Sequence, residues 1–366
     1  MSTRKDRFTN KDRIYMNLAI NLARNQKGLT GLNPSVGCVI VKKNKILSYG
    51  VTNVNGRPHA ETIALNKNKN KNIGSTVYLT LEPCSHYGNT PPCTNSLIKS
   101  KVKKVIYATK DLDFRSFNKA KKILESNKIK TKSGLLENKA KDLYKNYNYI
   151  KKNKFPYVTG KIACSSNFYI LKSKFHITNE HSRRISHLLR FQNQGILTSY
   201  KTINSDNPKL TCRINGLYKY SPARLVIDRD LKIKLNSYVI KNSKNQKTII
   251  FHNSKDLSKI NNLKKKGIKL IRFNVEKNNY FDLNKLFKKI YEIGIHNLLV
   301  ESGKTLTFNI ISKNLFNEFY FFKSNEILNN KYKINILNIK NNLSKKFKKK
   351  EFINTYLDKD SLIRYY

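Results

Sequence analysis

Short apolar segments alternate with segments of helical periodicity in the N-terminal part of the chain. Ile14, Leu18 and Leu22 recur at the spacing of one helix face, and Pro34 separates them from the strand-like residues 36–41 (VGCVIV). Further strands are predicted at residues 46–49, 77–81 and 105–108, and further helices at residues 59–65, 94–99 and 117–126. Strands that alternate with helices indicate an α/β layer fold.

A second α/β domain is predicted after a polar segment. Residues 145–154 are rich in Lys and Asn and lead to Pro156, which is typical of a domain boundary. We therefore predict one domain over residues 1–148 and another over residues 155–366. Strands are predicted in the second domain at residues 157–163, 195–198, 224–228, 248–252 and 298–300. The last 40 or so residues carry no clear pattern.

Apolar content and cysteine usage limit where the protein works. No uninterrupted apolar stretch approaches the roughly 18 residues that span a bilayer, and residues 1–12 lack the apolar centre of a signal peptide. We therefore expect a cytoplasmic protein with no membrane partner. The five cysteines are too few and too scattered for a disulfide scaffold, so they favour metal binding or catalysis.

The formal net charge of +50 invites a nucleic-acid interpretation, because a basic surface attracts phosphates. However, the chain has 59 Lys against 14 Arg, and Arg is the residue that base recognition favours. Many lysines stand in simple runs with Asn, such as residues 66–72 (NKNKNKN). We interpret this charge as a solvated surface that attracts small anionic substrates, and predict no nucleic-acid partner.

A zinc site is predicted from four residues in one ordered pattern. His59-Ala60-Glu61 is followed by Pro83-Cys84 and then by Cys93. One imidazole and two thiolates leave a fourth tetrahedral position for water, whose pKa zinc lowers towards neutrality. Glu61, two residues from a ligand, is placed to move the protons of that water. This combination is typical of zinc deaminases that act on amino-substituted heterocycles.

Other interpretations of the same residues remain open at this point. His and Glu are common at helix starts, and a pair of cysteines is often buried in a core. His86 could also complete a closed structural zinc site, although it lies only two residues from Cys84. The order and separation of the four residues favour a catalytic site.

The cysteine loop and several later segments carry a resemblance to a known family. Eight residues separate Cys84 from Cys93, and residues 33–37 (NPSVG) lie upstream. Both features closely resemble the bifunctional deaminase/reductases of riboflavin biosynthesis. The resemblance continues through residues 161–163 (KIA), 177–190, 195–213 and 298–303 (LLVESG).

The resemblance implies two folds and two reactions. The first half would be a cytidine-deaminase-like three-layer domain that deaminates a phosphoribosyl diaminopyrimidinone with Zn²⁺. The second half would be a dihydrofolate-reductase-like domain that reduces the ribosyl group of the product to a ribityl chain with NADPH. The oligomeric state stays open, and a homo-oligomer is compatible with the sequence.

In the first half, the resemblance implies that His59, Cys84 and Cys93 bind zinc, that Glu61 transfers protons and that Asn33 lies in the pyrimidine pocket. Two positions depart from the family pattern. Thr52 stands where the family usually has His, and Asn89 stands where it usually has Lys or Arg. We expect these changes to lower substrate affinity rather than to alter the zinc chemistry.

In the second half, the sequence without the family shows neither a dinucleotide-binding nor a P-loop glycine pattern, and residues 301–304 (ESGK) favour an ordinary strand-to-helix connection. The resemblance assigns residues to both ligands of a reductase. It implies nucleotide contacts from Thr202, Asp206, Gly303 and His176, and substrate contacts from Arg190, Leu210, Arg213 and Glu301. Among these, Arg190 would pair with the substrate phosphate.

Several positions of the second half also depart from the family. Ser302 replaces a glycine, His176 replaces a frequent Trp, and Asn167 and Phe168 replace an acid and a glycine in one turn. Two alternatives therefore stay open beside the bifunctional enzyme. One is a deaminase whose C-terminal domain is degenerate and does not reduce, and the other is a deaminase of nucleotides or nucleic acids.

Overall fold

The computed structural model describes residues 8–171, 176–277, 279–328 and 333–366. The chain divides into two compact units, Met1–Asn153 and Lys154–Tyr366. This division lies inside the polar segment where a boundary is predicted, while the limits 1–148 and 155–366 remain predictions. The expectation that residues 1–12 do not form a signal peptide falls partly on residues 1–7, which lie outside the described residues. No helix in the described part of the chain is long and apolar enough to cross a bilayer.

The first unit has one five-stranded sheet with the strand order β2-β1-β3-β4-β5. Its elements are α1 (Asn10–Asn25), β1 (Gly37–Lys42), β2 (Lys45–Val51), α2 (Ala60–Lys67), β3 (Thr76–Leu81), α3 (Cys93–Lys99), β4 (Lys104–Thr109), α4 (Lys119–Ser126), β5 (Lys130–Ser133), α5 (Glu137–Leu143) and α6 (Lys145–Asn153). β1 pairs antiparallel with β2 and β3, whereas β3, β4 and β5 run parallel.

The alternating side chains of β1 explain the three layers of this unit. Val39 packs with Met16 of α1 on one face, and Ile40 packs with Ala64 of α2 on the other. Successive strand residues point to opposite faces, so an apolar segment such as VGCVIV buries both of its faces between helices. The α/β class predicted for this half is confirmed.

The polar segment at residues 145–154 is a helix, α6, which the sequence did not predict. Only Ile150 of this helix is buried. Tertiary hydrogen bonds hold the helix, because Tyr147 donates to Asp111 at 3.0 Å and Lys151 pairs with Asp113 at 2.8 Å. A helix held by polar contacts has no apolar periodicity in its sequence, so it could not be predicted from that pattern.

The second unit has a nine-stranded sheet in the order β11-β10-β9-β8-β12-β6-β13-β16-β15 and a two-stranded sheet of β7 and β14. Its elements are β6 (Tyr157–Cys164), β7 (Tyr169–Leu171), α7 (Glu180–Phe191), β8 (Gly195–Ser199), α8 (Tyr200–Asp206), β9 (Ala223–Ile227), α9 (Tyr238–Lys241), β10 (Thr248–His252), α10 (Leu257–Lys265), β11 (Lys269–Arg272), α11 (Leu283–Glu292), β12 (Asn297–Glu301), α12 (Lys304–Ser312), β13 (Glu318–Lys323), β14 (Lys333–Asn335), α13 (Leu337–Lys346), β15 (Lys350–Phe352) and β16 (Ser361–Tyr365).

The parallel strands β8, β12 and β6 are neighbours, and this order positions the second site. Glu301 at the end of β12 pairs in register with Lys161 of β6. In α/β sheets, ligands bind in the crevice beyond the carboxyl ends of such strands. The sequence segments that end β6, β8 and β12 therefore meet at one edge of the sheet.

The last 40 or so residues, which carry no readable pattern, complete this sheet. β16 pairs antiparallel with β13, and β15 pairs with β16. The Arg364 guanidinium on β16 forms ion pairs with Glu318 at 2.9 Å and with Glu351 at 2.9 Å. The C-terminal segment is thus part of the core sheet of the second unit.

Candidate active sites

The three predicted zinc ligands lie together at the N-terminal ends of α2 and α3. Nδ1 of His59 lies 3.2 Å from Sγ of Cys93 and 3.7 Å from Sγ of Cys84. All three ligand atoms lie within 4.8 Å of one another. Tetrahedral zinc with ordinary Zn–N and Zn–S bonds separates such atoms by about 3.6 Å. The residues present therefore fit zinc.

Backbone hydrogen bonds hold the two cysteines in place. The N–H of Cys93, the first residue of α3, donates to Sγ of Cys84 at 3.2 Å, and the N–H of Thr94 donates to the Cys84 carbonyl. Hydrogen bonds from the Cys93 thiol, from His59 and from this backbone N–H lower the pKa of Cys84 to about 4, although its burial opposes them. The site thus stabilises a thiolate, the form that binds metal.

Glu61 lies in the first turn of α2 with only 3 % of its surface exposed. Its carboxyl group lies close enough to Cys93 for its negative charge to raise the pKa of that thiol. Burial, together with the negative charge of Cys84, raises the pKa of Glu61 to about 7. A carboxyl group with a pKa near neutrality can both accept and donate a proton.

Asn33 is held beside this site by a close approach to Gly56. Its Nδ2 donates to the Gly56 carbonyl at 3.3 Å, and a Cβ at Gly56 would lie 2.2 Å from that nitrogen. Gly56 has a φ of +87° as well, so both space and backbone conformation require glycine there. The contact brings Asn33 to the loop that leads directly into His59.

Other singled-out residues of the first half have different positions. Nδ1 of His86 hydrogen-bonds Oγ of Ser116 at 3.0 Å, and His86 is not part of the ligand cluster. Thr52 is buried, and its Oγ1 accepts from the N–H of Val36 at 2.9 Å. Asn89 is exposed in the cysteine loop. Thr52 thus joins the two ends of the β1–β2 hairpin.

Glu82 is a buried carboxylate that the sequence did not single out. It accepts hydrogen bonds of 3.3 Å from the backbone N–H groups of Asp111, Asn118 and Ala120. Together with the His86–Ser116 contact, these bonds attach the segment at residues 111–120 to the cysteine loop. In the sequence, only the position of Glu82 directly before Pro83-Cys84 indicated that it could matter to the zinc site.

We expect Glu82→Ala to destabilise the first unit by about 3 kcal/mol, because three backbone N–H groups, those of the buried residues Asp111 and Ala120 and that of Asn118, lose their acceptor. Glu82→Gln retains one carbonyl oxygen and should lose less. Urea unfolding of the zinc-loaded protein, monitored by the transfer of zinc to a chelator, measures the unfolding free energy of each variant. An unfolding free energy of Glu82→Ala equal to that of the unchanged protein would contradict this role.

The predicted reductase residues surround one cavity of about 1030 Å³ at the carboxyl ends of β6, β8 and β12. All eight line it: His176, Arg190, Thr202, Asp206, Leu210, Arg213, Glu301 and Gly303. Gly303 is the N-cap of α12, and a Cβ there would lie 3.8 Å from Oγ1 of Thr202. The sequence segments assigned to nucleotide and to substrate thus share one cavity, while their individual roles stay predictions.

Arg190 and Glu301 form a bidentate ion pair in the wall of this cavity. Nε and Nη2 of Arg190 donate to the two carboxylate oxygens at 2.7 and 2.8 Å, and each side chain is 13 % exposed. Nη1 donates to the carbonyl of Thr211 at 3.1 Å. Arg213 is exposed and, among the described residues, pairs with no carboxylate. Its guanidinium is therefore more available to an anionic ligand than that of Arg190.

The ion pair makes stability depend on pH in a definite direction. Burial alone would raise the pKa of Glu301, but the charge and hydrogen bonds of Arg190 outweigh it and lower the pKa to about 2. The contribution to stability is therefore complete above the ordinary pKa of about 4.5 and is lost as the pH falls towards 2.

We expect the difference in unfolding free energy between the unchanged protein and Glu301→Gln to shrink as the pH is lowered from 6 to 3. At about 1.4 kcal/mol per pKa unit, the full effect is on the order of 3 kcal/mol. Urea titrations of both proteins at each pH measure it. A difference that stays constant or grows on acidification would contradict the assigned pairing.

Two further residues of the cavity were not assigned from sequence. Burial lowers the pKa of Lys161, and the Glu301 carboxylate acts against this shift. Burial and the charges of Arg190 and Arg213 lower the pKa of His187 to about 4, so its imidazole is neutral at pH 7. Lys161 was visible only as part of the KIA segment, and His187 only as one position of a helix.

The turn that departs from the family at Asn167 and Phe168 keeps a glycine-like backbone. Phe168 has a φ of +64°, in the left-handed region that favours glycine. The Asn167 side chain binds the backbone of Leu328 in both directions, at 2.9 and 3.2 Å. Hydrogen bonds and the packing of Phe168 against Phe321 thus hold a turn in which the residue type itself is unfavourable.

Comparison with known proteins gives matches over both units. The zinc-binding region of cytidine and deoxycytidylate deaminases matches residues 9–109, and the RibD C-terminal domain matches residues 170–328. The riboflavin biosynthesis protein RibD of Aquifex aeolicus is 34 % identical over 90 % of this chain and 91 % of its own.

Solved structures agree. RibD of Acinetobacter baumannii has a TM-score of 0.82 and 25 % identity, covering 97 % of this chain and 98 % of its own. A diaminohydroxyphosphoribosylaminopyrimidine deaminase/5-amino-6-(5-phosphoribosylamino)uracil reductase of Thermotoga maritima has a TM-score of 0.77 and 25 % identity over the same shares.

These matches confirm the predicted family resemblance, the fold class and the two enzyme activities. They also favour a two-domain enzyme over the alternatives of a degenerate second domain or a nucleotide deaminase. The predicted cofactors agree with the matched domains and with the His59, Cys84 and Cys93 cluster. The chain belongs to the RibD family of riboflavin biosynthesis proteins, whose zinc-binding deaminase domain is joined to a reductase domain of the NADPH-dependent RibD type.

Proposed function

We propose that the first unit deaminates 2,5-diamino-6-(5-phosphoribosylamino)pyrimidin-4-one and that the second unit reduces the ribosyl group of the product. The observation that supports this proposal is that each unit brings its predicted residues together. One unit assembles His59, Cys84, Cys93 and Glu61, and the other gathers all eight predicted reductase residues around one cavity.

Zinc, when bound by His59, Cys84 and Cys93, supplies a Lewis acid that activates water at its open position. Glu61 accepts one proton from the attacking water and delivers it to the ring nitrogen, and it then passes the second proton of that water to the amino group, which leaves as ammonia. Its burial suits this role, because a carboxyl group with a pKa of about 7 exchanges protons readily at neutral pH. Asn33 offers an amide to the polar edge of the pyrimidine. The carbon–oxygen bond forms first, as the ring nitrogen takes up its proton, and the exocyclic carbon–nitrogen bond then breaks to leave a ring carbonyl.

In the second unit, the chain positions a nicotinamide nucleotide against the ribosyl group. NADPH supplies a hydride when it is bound. We assign the nucleotide to four residues that line the cavity: Thr202, Asp206, His176 and Gly303 at the N-terminus of α12.

The substrate side holds Leu210, Arg213 and the Arg190–Glu301 pair. Because Glu301 occupies the fork of Arg190, we assign the substrate phosphate to the exposed guanidinium of Arg213, which donates a hydrogen bond to Thr211 but pairs with no carboxylate among the described residues. Arg190 fixes the Glu301 carboxylate, which faces Lys161 across the β12–β6 ladder. We assign the sugar hydroxyl groups to Glu301 and Lys161.

The choice of substrate is tested by ammonia release. We expect release from the phosphoribosyl diaminopyrimidine and none from deoxycytidylate or from transfer RNA. Activity on either of the latter two, without activity on the former, would replace this proposal by the nucleotide or nucleic-acid deaminase.

A cytoplasmic location agrees with the free thiols of Cys84 and Cys93, which an oxidising compartment would not preserve.

A further inference from the structure

Arg57 places a half-buried positive charge at the edge of the zinc site. It lies two residues before His59, and its Nη1 donates to Oγ1 of Thr90 in the cysteine loop. Its Nη2 lies 3.6 Å from the position of a Cβ at Gly88. The guanidinium therefore contacts the loop that separates the two cysteine ligands.

No carboxylate forms an ion pair with Arg57 among residues 8–171, 176–277, 279–328 and 333–366. A guanidinium has five N–H donors, and the single hydrogen bond to Thr90 leaves most of its planar fork unused. Such a fork matches the oxygens of a phosphate, to which it binds by two parallel hydrogen bonds.

The neighbours of Arg57 connect it to the pyrimidine side of the site. Gly56, the preceding residue, accepts the hydrogen bond from the Asn33 amide at 3.3 Å. His59 follows after Pro58 as a metal ligand. Arg57 therefore belongs to the same short loop, residues 56–59, that contacts Asn33 and supplies the metal ligand His59. A ligand bound to Asn33 and to the metal site lies beside this loop.

The contacts of Arg57 also flank the position where the family usually carries a cation. Asn89, which cannot supply a charge, stands between Gly88 and Thr90, and Arg57 reaches both of these neighbours. We propose that Arg57 binds the 5-phosphate of the deaminase substrate, in place of a cation at position 89. This inference rests on the proposed function of the first unit and names a residue that determines its specificity.

Three variants of the zinc-loaded full chain test this role through KM and kcat for ammonia release. We expect Arg57→Gln to raise KM for the phosphorylated substrate about tenfold or more, with kcat changed less than about threefold, because a charge-assisted pair is lost from binding alone. Arg57→Lys should recover part of the loss. Lys99→Gln, which removes an exposed charge from the same unit, should change KM less than about twofold.

Thr90→Val separates phosphate binding from a purely structural link between the two loops. This variant loses the hydrogen bond but keeps the cation, and its KM should rise less than about threefold. The dephosphorylated riboside should show the same KM with Arg57→Gln as with the unchanged protein. Ribose 5-phosphate, used as a competitive inhibitor, should bind Arg57→Gln about tenfold more weakly.

The proposal is overturned if Thr90→Val reproduces the defect of Arg57→Gln, or if the defect is equal for the riboside. A KM unchanged in Arg57→Gln overturns it as well, while ammonia release by the unchanged protein then still supports the proposed function. Absence of ammonia release from the unchanged, zinc-loaded protein is instead the failure of the proposed function. Direct calorimetric binding of ribose 5-phosphate, compared with and without Arg57→Gln in proteins that also carry Arg213→Gln, then still decides the role of Arg57.

Discussion

Glu61→Gln is expected to lower the rate of ammonia release by about 10²- to 10⁴-fold while zinc stays bound. Glutamine has nearly the shape of glutamate and keeps a hydrogen-bonding group beside Cys93, but it cannot exchange a proton. Glu61 is not one of the three ligand residues, so the metal content should remain near one zinc per chain. Ammonia release and zinc content, measured on the same preparation, check both parts of this prediction.

Glu137→Gln is a matched control, because Glu137 lies in the first turn of α5 just as Glu61 lies in the first turn of α2. Its side chain is 43 % exposed and pairs with Lys141, which is itself exposed, so we expect ammonia release within about twofold of the unchanged rate. Substantial ammonia release by Glu61→Gln at full zinc content would refute the role assigned to Glu61.

The second large effect is expected from Arg190→Met in the reductase unit. This change leaves the Glu301 carboxylate buried without its partner, which costs about 3–5 kcal/mol of unfolding free energy. It also frees Glu301 from the geometry that the bidentate pair imposes, so NADPH oxidation should be lost with it. Urea unfolding and NADPH oxidation with the deaminated intermediate measure the two consequences.

Arg184→Met gives the control for Arg190→Met on the same helix, α7. Arg184 pairs with Glu180, but both side chains are more than 60 % exposed, so the loss should stay within about 1 kcal/mol. The double variant Arg190→Met/Glu301→Gln should regain part of the stability, since no buried charge is then left unpaired. An Arg190→Met protein as stable as Arg184→Met would contradict the energetic role of the pair.

The zinc site could be predicted from sequence because its chemistry requires fixed residue types in a fixed order. His59, Cys84 and Cys93 supply the imidazole and thiolate groups that zinc binds, and α2 and α3 begin where the pattern places them. Glu82 and Arg57 could not be predicted in this way. Their roles depend on contacts with residues 111–120 and with Thr90, which a single sequence does not reveal.

The strands that consist of apolar residues could be predicted from the sequence. The prediction failed for strands in which lysine is frequent. β1, β3 and β4 are buried and read as apolar runs, whereas β5 (Lys130–Ser133) has no fully buried residue and was not predicted. The C-terminal strands could not be predicted either, because long-range contacts rather than an apolar pattern hold them in the sheet. β16 is fixed by its register with β13 and by ion pairs of Arg364, and neither appears in a pattern of periodic side chains.

The gathering of the reductase residues was expected from the family resemblance but not from the local pattern. Residues 301–304 alone favour an ordinary strand-to-helix connection. Their meeting with Arg190 and Thr202 follows from the neighbouring positions of β12 and β8 in the parallel sheet. Strand order in a sheet is a long-range property, so the local sequence cannot supply it.

Simultaneous measurement of ammonia and NADPH tests the central claim that one chain carries two active sites. The zinc-loaded protein is given the phosphoribosyl diaminopyrimidine together with NADPH. We expect one ammonia released and one NADPH oxidised for each substrate consumed, and no NADPH oxidation from this substrate when Glu61→Gln blocks the first step. Normal ammonia release without any NADPH oxidation would contradict the claim and leave a deaminase with a C-terminal domain that does not reduce.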